Sequence, residues 1–463
     1  MGDPTGTAVV LGLARQGKAL ARFLSASGWE VTVSDSRPAE ALVAEVAELA
    51  DCDVSFALGE HPPALLDGCD LLCLSGGVPP TIPIVREALS RGIRLSNDAQ
   101  EFLARSPSPV VGITGSAGKT TTTTLVGRML AASGYTTWVG GNIGNPLIGN
   151  LSEMTPEDRA VMELSSFQLE LVTTSPGVAG VLNVTPNHLD RHKTMEAYIA
   201  AKRNIVAHQG EADVAVLGYD EPNASAMAGA TRAEVRWFSG STAVDSGAYL
   251  KGDKLILRRE GEETAVAQRD GVRLRGFHNV LNTLAAIALA DAADATVDGM
   301  RQAIDGFTGV EHRLELVREW GGAWWVNDSI ATAPERVLAA LASFDEPLIL
   351  LAGGRDKDLP WGAFARRVVE RVRVLVLFGE AATLIEGHVA AALEAGAGEH
   401  AVLETMLLTA TLADACAAAA DRVRAGDVVL LSPGGTSFDA YRDFAERGAE
   451  FRAWVQNLPP DAA

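Results

Sequence analysis

The chain is poor in what anchors, staples or nucleic-acid binders need. It has four cysteines in 463 residues (Cys52, Cys69, Cys73 and Cys416). Their spacing matches no zinc module and supports no disulfide framework, so they are expected as small buried hydrophobes in a reducing compartment. No uninterrupted apolar run approaches the length that crosses a bilayer. No cationic stretch precedes an apolar segment at the start, so no signal peptide is expected. Positive charge is also scarce: 39 Lys and Arg against 59 Asp and Glu leave a net charge of −20 and a pI near 4.9. That balance argues against a nucleic-acid partner. An acidic protein can still bind anions, but only through locally placed Lys, Arg, magnesium or helix N-termini. What remains, 47% hydrophobic and 21% charged residues, is an ordinary globular composition. The length calls for two to three domains. A cytoplasmic, monomeric enzyme without membrane insertion is the expectation.

The chain is organised around Val110 to Leu125. Val110–Ile113 reads as a short buried strand, Thr114–Gly118 as a turn of small residues, and Lys119 onward as a helix through Leu125, Val126, Met129 and Leu130. A strand, a glycine-containing turn and a helix start aim backbone N–H groups and a helix dipole at one point, which suits a polyphosphate. Lys119 supplies a cation for the outer phosphates and Thr120 a hydroxyl for magnesium. The eight-residue phosphate-loop spacing would want glycine at 113, where Ile113 stands. Gly115, Gly118, Lys119 and Thr120 match the tighter core.

Upstream, the strand Thr7–Leu13, the turn Gly12 to Gly17 and a second strand ending at Asp35 have the layout of a dinucleotide fingerprint, with Ala14 at the middle glycine. Taken alone this suggests a nicotinamide cofactor, and the packing of any βαβ unit explains it equally. Further βα alternation passes through the turn Ser75-Gly-Gly-Val78 and reaches a hinge at Ser106-Pro-Ser-Pro109. Downstream, strands end at Glu163 and at Asn183, the latter leading to His188. Ligands in open parallel sheets gather at the carboxyl ends of strands, so Glu163 and His188 read as magnesium ligands, direct or through water. Lys202 reads by pattern as a surface lysine. Asn279 and Asn282 share one helix face and offer amides to an adenine edge, although Asn279 equally suits a helix cap. Phe307 to Arg313 marks a second boundary. Beyond it, strand ends at Asn327-Asp328, Gly353-Gly354, Gly379 and Ser432–Phe438 form a second ligand-facing rim.

These motifs, in this order, resemble the Mur ligases, the ATP-dependent amide-forming enzymes of peptidoglycan precursor synthesis. The resemblance spans the chain. It rests on Thr114–Thr120, Gly141-Asn-Ile-Gly144, Glu163–Glu170, Asn183-Val-Thr with His188 to Arg191, Ala201-Lys202, His278-Asn279 with Asn282, His312-Arg313, Asn327–Thr332 and Leu431–Ser437. The second and third runs favour the branch that adds D-glutamate. The family's phosphate loop has the same Thr-Gly-x-x-Gly-Lys form, which accounts for Ile113. The resemblance implies an α/β protein of three domains: a Rossmann-like N-terminal domain (1–107), a central P-loop-type mononucleotide-binding domain (108–310) and a Rossmann-like C-terminal domain (311–463). It implies UDP-N-acetylmuramoyl-L-alanine, D-glutamate and ATP as small-molecule substrates, and two magnesium sites.

The roles it implies are these. Gly12, Leu13, Ala14, Gly17, Asp35, Ser36, Arg37, Ser75 and Gly76 contact the uridine diphosphate substrate. Gly115, Ser116, Ala117, Gly118, Lys119, Thr120 and Thr121 hold phosphates, with Asn279, Asn282, Arg313 and Asp328 completing the nucleotide site. Thr120, Glu163, His188 and a carbamylated Lys202 serve the metals. Asn142 and His188 lie near the reacting carboxylate, Ser165 contacts the substrate, and Lys119, Asn142, His188, Lys202 and Arg313 carry catalysis. Thr332, Lys357, Ser437 and Phe444 form the amino-acid pocket. Two departures stand out: Ile330 occupies the place of a family lysine, and Arg355 a place where an acidic residue can occur. Rival readings are a nicotinamide oxidoreductase, a catalytically weak ATP-binding module, and a sibling ligase or folate polyglutamate synthetase with another amino acid.

Overall fold

The computed structural model describes residues 6–274, 276–395 and 401–460. It divides into two compact units, Met1–Phe307 and Thr308–Ala463. Among the described residues the first unit contains two sheets and the second unit one, each in an α/β setting.

The first sheet is all parallel, ordered Val54–Leu58, Glu30–Asp35, Thr7–Leu11, Leu71–Leu74, Arg94–Ser96. The strand order reverses at Thr7–Leu11, and the crevice beyond its carboxyl end is where such a sheet receives a ligand. Runs such as Leu71–Leu74, buried at every position, show why these strands lack alternation: both faces are covered. The first strand stops at Leu11 rather than Leu13, because Gly12 takes a φ of 93° and turns the chain into the helix Arg15–Ala26.

The second sheet has nine strands. Its parallel part runs Thr137–Gly141, Arg159–Glu163, Val110–Thr114, Val178–Val181, Val214–Gly218, Glu234–Ser239, Gly247–Lys251. An antiparallel flank, Lys254–Arg259 and Glu262–Gln268, closes it and accounts for the polar hairpin-like stretch of the sequence. Val110–Thr114 is wholly buried between the strands that end at Glu163 and Val181, so their carboxyl ends meet at one rim.

The sheet of the second unit runs Glu315–Trp320, Ala323–Asn327, Val428–Gly434, Leu348–Gly353, Val372–Phe378, Thr405–Leu408. Its first pair is antiparallel and the rest parallel. The order reverses between Leu348–Gly353 and Val428–Gly434. Among the described residues no helix is long and apolar enough to cross a membrane.

Candidate active site

In the first unit, the helix Lys119–Ala132 starts from Gly118, whose φ of 83° favours glycine. A Cβ at Gly118 would collide with Asn282 Oδ1, so Asn282 stands against the phosphate loop. Asn282 Nδ2 in turn donates to Asn279 Oδ1 at 3.0 Å. The helix carrying both starts at Phe277 after Gly276, so Asn279 lies inside the first turn and is not its cap. The loop is shaped by a residue to which the sequence assigned no role. Asn183 accepts from Ala117 N–H through Oδ1 at 2.9 Å, donates through Nδ2 to Ala117 O at 3.1 Å, and takes Ser116 N–H on its own carbonyl at 2.9 Å. Its place at a strand end was the available signal.

Lys119 Nζ folds back onto its loop, donating to Gly115 O at 2.9 Å and Ser116 O at 3.2 Å. Thr120 Oγ1 donates to Glu163 Oε2 at 2.8 Å, and Asn142 Nδ2 to Glu163 Oε1 at 2.7 Å. Three segments distant in sequence therefore converge on one buried carboxylate. Lys202 is not the surface residue that its pattern suggests. It is 1% exposed, and its Nζ donates to Thr114 Oγ1 at 3.1 Å and to Gly115 O at 2.9 Å. Burial, and then the Lys119 cation, press its pKa well below the ordinary lysine value, while the Glu163 carboxylate pulls the other way. Tyr198, one turn earlier on the same helix, lies beneath this ammonium and bonds Ser116 Oγ at 3.0 Å.

His188 adopts a φ of 54° at the start of the helix Leu189–His192, and its ring meets Phe167 edge-on at 5.1 Å. Arg191 lies over the same Phe167 ring, and also donates to Gly76 O at 3.3 Å and Val78 O at 3.0 Å. The His188 segment is thereby tied to the Ser75–Val78 turn of the first sheet. Ser165 caps the helix Ser166–Leu169 in a reciprocal pair with Gln168. Gln168 reaches on to Asp98 at 3.1 Å, whose buried carboxyl is pushed up to about 6 by desolvation.

At the N-terminal turn, Asp35 accepts Leu13 N–H at 2.8 Å and binds Arg37 through its backbone N–H and guanidinium at 3.0–3.1 Å. Burial opposes its ionisation, but these donors outweigh burial and hold it at about 2. In a nicotinamide site the equivalent acid would bind a ribose. Here both oxygens already have internal partners. Ser75 is buried against the Gly12 turn, Gly17 packs on Gly12 O, and Gly76 N–H donates to Gln16 Oε1 at 3.0 Å. Arg15 Nη2 reaches Asn142 O at 3.3 Å, so Gly12–Gly17, Ser75–Gly76, Asn142 and the phosphate rim belong to one continuous surface. Ser36 is exposed beside Asp35.

In the second unit, Asp328 is buried, accepting from Ser432 Oγ at 2.8 Å and Leu314 N–H at 3.3 Å. Burial raises its pKa to about 7 against those bonds and the Arg313 charge. Lys357 Nζ donates to Thr332 Oγ1 at 3.4 Å. Ser437 is buried, and Phe444 opens the helix Phe444–Gln456 while accepting Ser329 Oγ on its carbonyl at 2.8 Å. Arg355 is paired bidentately with Glu380 at 2.8 and 2.9 Å. The sequence assigned nothing to Arg447. It is fully buried, donating to Ser329 O and Oγ, Gly435 O and Thr436 O at 2.9–3.3 Å. Its phase with Phe444, Phe451 and Val455 on one helix face was the signal.

Three family descriptions match successive parts of the chain: the Mur ligase MurD-like N-terminal domain at residues 6–97, the Mur ligase middle domain at 113–290, and the Mur ligase glutamate ligase domain at 312–435. The UDP-N-acetylmuramoylalanine–D-glutamate ligase of Symbiobacterium thermophilum is 44% identical over 455 residues, covering 97% of this chain and 98% of that protein. The enzyme of the same name from Acetivibrio thermocellus is 39% identical, covering 97% of this chain and 96% of that one. Among solved structures, the UDP-N-acetylmuramate-alanine ligase of Thermotoga maritima superposes with a TM-score of 0.55 at 18% identity, over 98% of this chain and all of that one. MurF from Acinetobacter baumannii gives 0.56 at 19%, over 96% and 93%. At those identities the structures speak for the fold. The domain matches and full-length relatives speak for descent: this chain belongs to the Mur ligase family.

Proposed function

We propose that the chain joins D-glutamate to the lactyl-alanine carboxylate of UDP-N-acetylmuramoyl-L-alanine, driven by ATP, in peptidoglycan precursor synthesis. The carrying observation is the Thr120–Glu163 contact beside the Lys119 loop, in a chain whose full-length relatives bear that ligase name. Residues 1–107 bind the uridine diphosphate portion, 108–310 the triphosphate, and 311–463 the amino acid.

A carboxylate cannot accept an amine at neutral pH without a better leaving group. One oxygen of the alanine carboxylate attacks the γ-phosphorus, the bond to the β,γ-bridging oxygen breaks, and ADP departs. The D-glutamate nitrogen then attacks the acyl carbon, the carbon–oxygen bond to phosphate breaks, and the amine proton is lost to solvent. Positioning and neutralisation of charge supply the acceleration, since no protein atom need bond to phosphorus. Lys119 leaves its loop carbonyls to meet the β- and γ-phosphates, and Asn142 and His188 orient the carboxylate. Arg313, Asn279, Asn282 and Asp328 hold the nucleotide, and Thr332, Lys357, Ser437 and Phe444 the amino acid.

Magnesium fits the residues present. Thr120 Oγ1 and Glu163 Oε2 are hard oxygen donors already 2.8 Å apart. Among the described residues no three His, Cys, Asp or Glu side chains form a metal cluster. That suits a cation taking its other ligands from phosphate and water. When bound, it would neutralise charge developing on the phosphate oxygens. His188 and Lys202 are assigned to a second site. Burial holds the Lys202 pKa well below the ordinary lysine value, which favours the amine form that adds carbon dioxide, and the resulting carbamate would place an anion beside the Lys119 cation.

The test is ADP release with UDP-N-acetylmuramoyl-L-alanine and a panel of D-glutamate, L-alanine, L-lysine, meso-diaminopimelate and L-glutamate. Release dependent on D-glutamate supports the reading. A preference for any other member overturns the assignment of substrate.

A further inference from the structure

Positive charge in the second unit collects around Lys357. Lys357 Nζ rests on Thr332 Oγ1, and the charges that act on it after its own desolvation are those of Arg336 and Arg447, with no carboxylate among them. Arg447 donates to the oxygens of Ser329, Gly435 and Thr436 and lies within the field of the Asp439 carboxylate. Arg336 is different. It is exposed in the first turn of the helix Pro334–Leu341, four residues beyond Thr332, and among the described residues its guanidinium has no ion pair or hydrogen bond. Its charge is felt at both Asp328 and Lys357, so it stands at the same rim. Arg355, the other arginine of these loops, is consumed by Glu380. Cations held close to one another repel, and an anion bound between them relieves that repulsion.

We propose that Arg336 binds one carboxylate of the incoming amino acid beside Lys357, and so sets the preference for a diacid. This rests on the ligase reading above and adds to it a residue outside the expected amino-acid pocket. The planar guanidinium can grip a carboxylate through two donors, which an ammonium cannot. Ile330 lies on the same loop two residues before Thr332, so a cation placed there would reach the same space.

The experiment measures initial rates of ADP release for the full chain and for Arg336→Met, Arg336→Lys and the double variant Arg336→Met with Ile330→Lys. ATP, UDP-N-acetylmuramoyl-L-alanine and D-glutamate are varied in turn. Arg336→Met should raise KM for D-glutamate about tenfold, the size of one charge-assisted contact. It should lower kcat by less than that, leaving the other two KM values unchanged. Arg336→Lys should fall between it and the parent, and Ile330→Lys should recover part of the loss. An unchanged KM for D-glutamate in Arg336→Met overturns the proposal. So does a loss spread evenly over all three substrates together with a lower unfolding temperature, since that marks a structural role. If the parent chain itself releases no ADP in response to D-glutamate, it is the ligase reading that fails.

Discussion

Two turns in the first unit share one backbone plan and hold charge in opposite ways. At both, a buried parallel strand ends, a glycine takes a positive φ (93° at Gly12, 83° at Gly118), and a helix begins. At the Gly12 turn the charge is an anion held internally: Asp35 receives Leu13 N–H and the Arg37 guanidinium. At the Gly118 turn the charge is a cation, Lys119, whose ammonium donates to its own loop carbonyls. A strand–glycine–helix turn therefore specifies how backbone approaches a ligand. The side chains around it decide what that ligand is. Fingerprint logic alone reads both turns as nucleotide sites; the match of residues 6–97 to the Mur ligase MurD-like N-terminal domain is what removes the nicotinamide reading from the first.

The sharpest way to break this comparison is to delete the cation of the second turn. Lys119→Ala should lower kcat by about a thousandfold or more, as for loss of a cation on a transferring phosphoryl group. Its circular dichroism spectrum should be unchanged, because the loop and the helix Lys119–Ala132 keep their backbone bonds without the ammonium. Retained turnover would mean that this turn does not grip the transferring phosphate. Next in size is Lys202→Ala, expected to lose about a hundredfold or more in kcat. Added formate or acetate should restore part of it by replacing the lost anion. No response to carboxylates would leave Lys202 as a cation and refute the carbamate.

How much of this was legible beforehand varied with the range of the interaction. The strand ends and the Gly-Lys-Thr turn are local, and their residues declared themselves. Lys202 was misread although its helix carried the signal: Tyr198, Ala201, Lys202, Ile205 and Val206 form one buried stripe, and the lysine is in phase with it. Reading a charged side chain as solvent-facing overrode the periodicity. Asn183 and Arg191 were quoted within motifs yet given no role, because their partners lie 66 and 113–115 residues away. No local pattern reports such a pairing. The limit of the first strand, Leu11 rather than Leu13, followed from the φ of Gly12.

Asn183 supplies the third prediction, which asks whether the loop's shape matters as well as its charge. Its side chain ties both the N–H and the carbonyl of Ala117. Asn183→Ala would leave those groups without these partners and let the loop sample other shapes. KM for ATP should rise about tenfold, the equivalent of one or two lost hydrogen bonds, with a smaller change in kcat. An ATP dependence identical to the parent's would show that the loop holds its form without this residue.

The smallest effect belongs to the first turn and tests whether its anion is structural. Asp35 sits at about 2 in the folded chain, below the ordinary carboxylate value of 3.8. A folded pKa lowered in this way adds stability that is fully present above the unfolded value and fades as pH falls through the folded one. The window is therefore about pH 4 down to about pH 2. Asp35 is buried but Arg37 is half exposed, so solvent screens part of the attraction, and about 1–2 kcal/mol is the expected contribution. Asp35→Asn keeps an acceptor for Leu13 N–H while removing the charge. Urea unfolding should find the parent more stable than the variant by a constant margin from pH 7 to about 5, a margin that narrows towards pH 2. A gap that stays constant into acid would mean the Arg37 pairing contributes nothing. The Gly12 turn would then owe its form to backbone and packing alone, and the contrast with the lysine-bearing turn would lose its electrostatic basis.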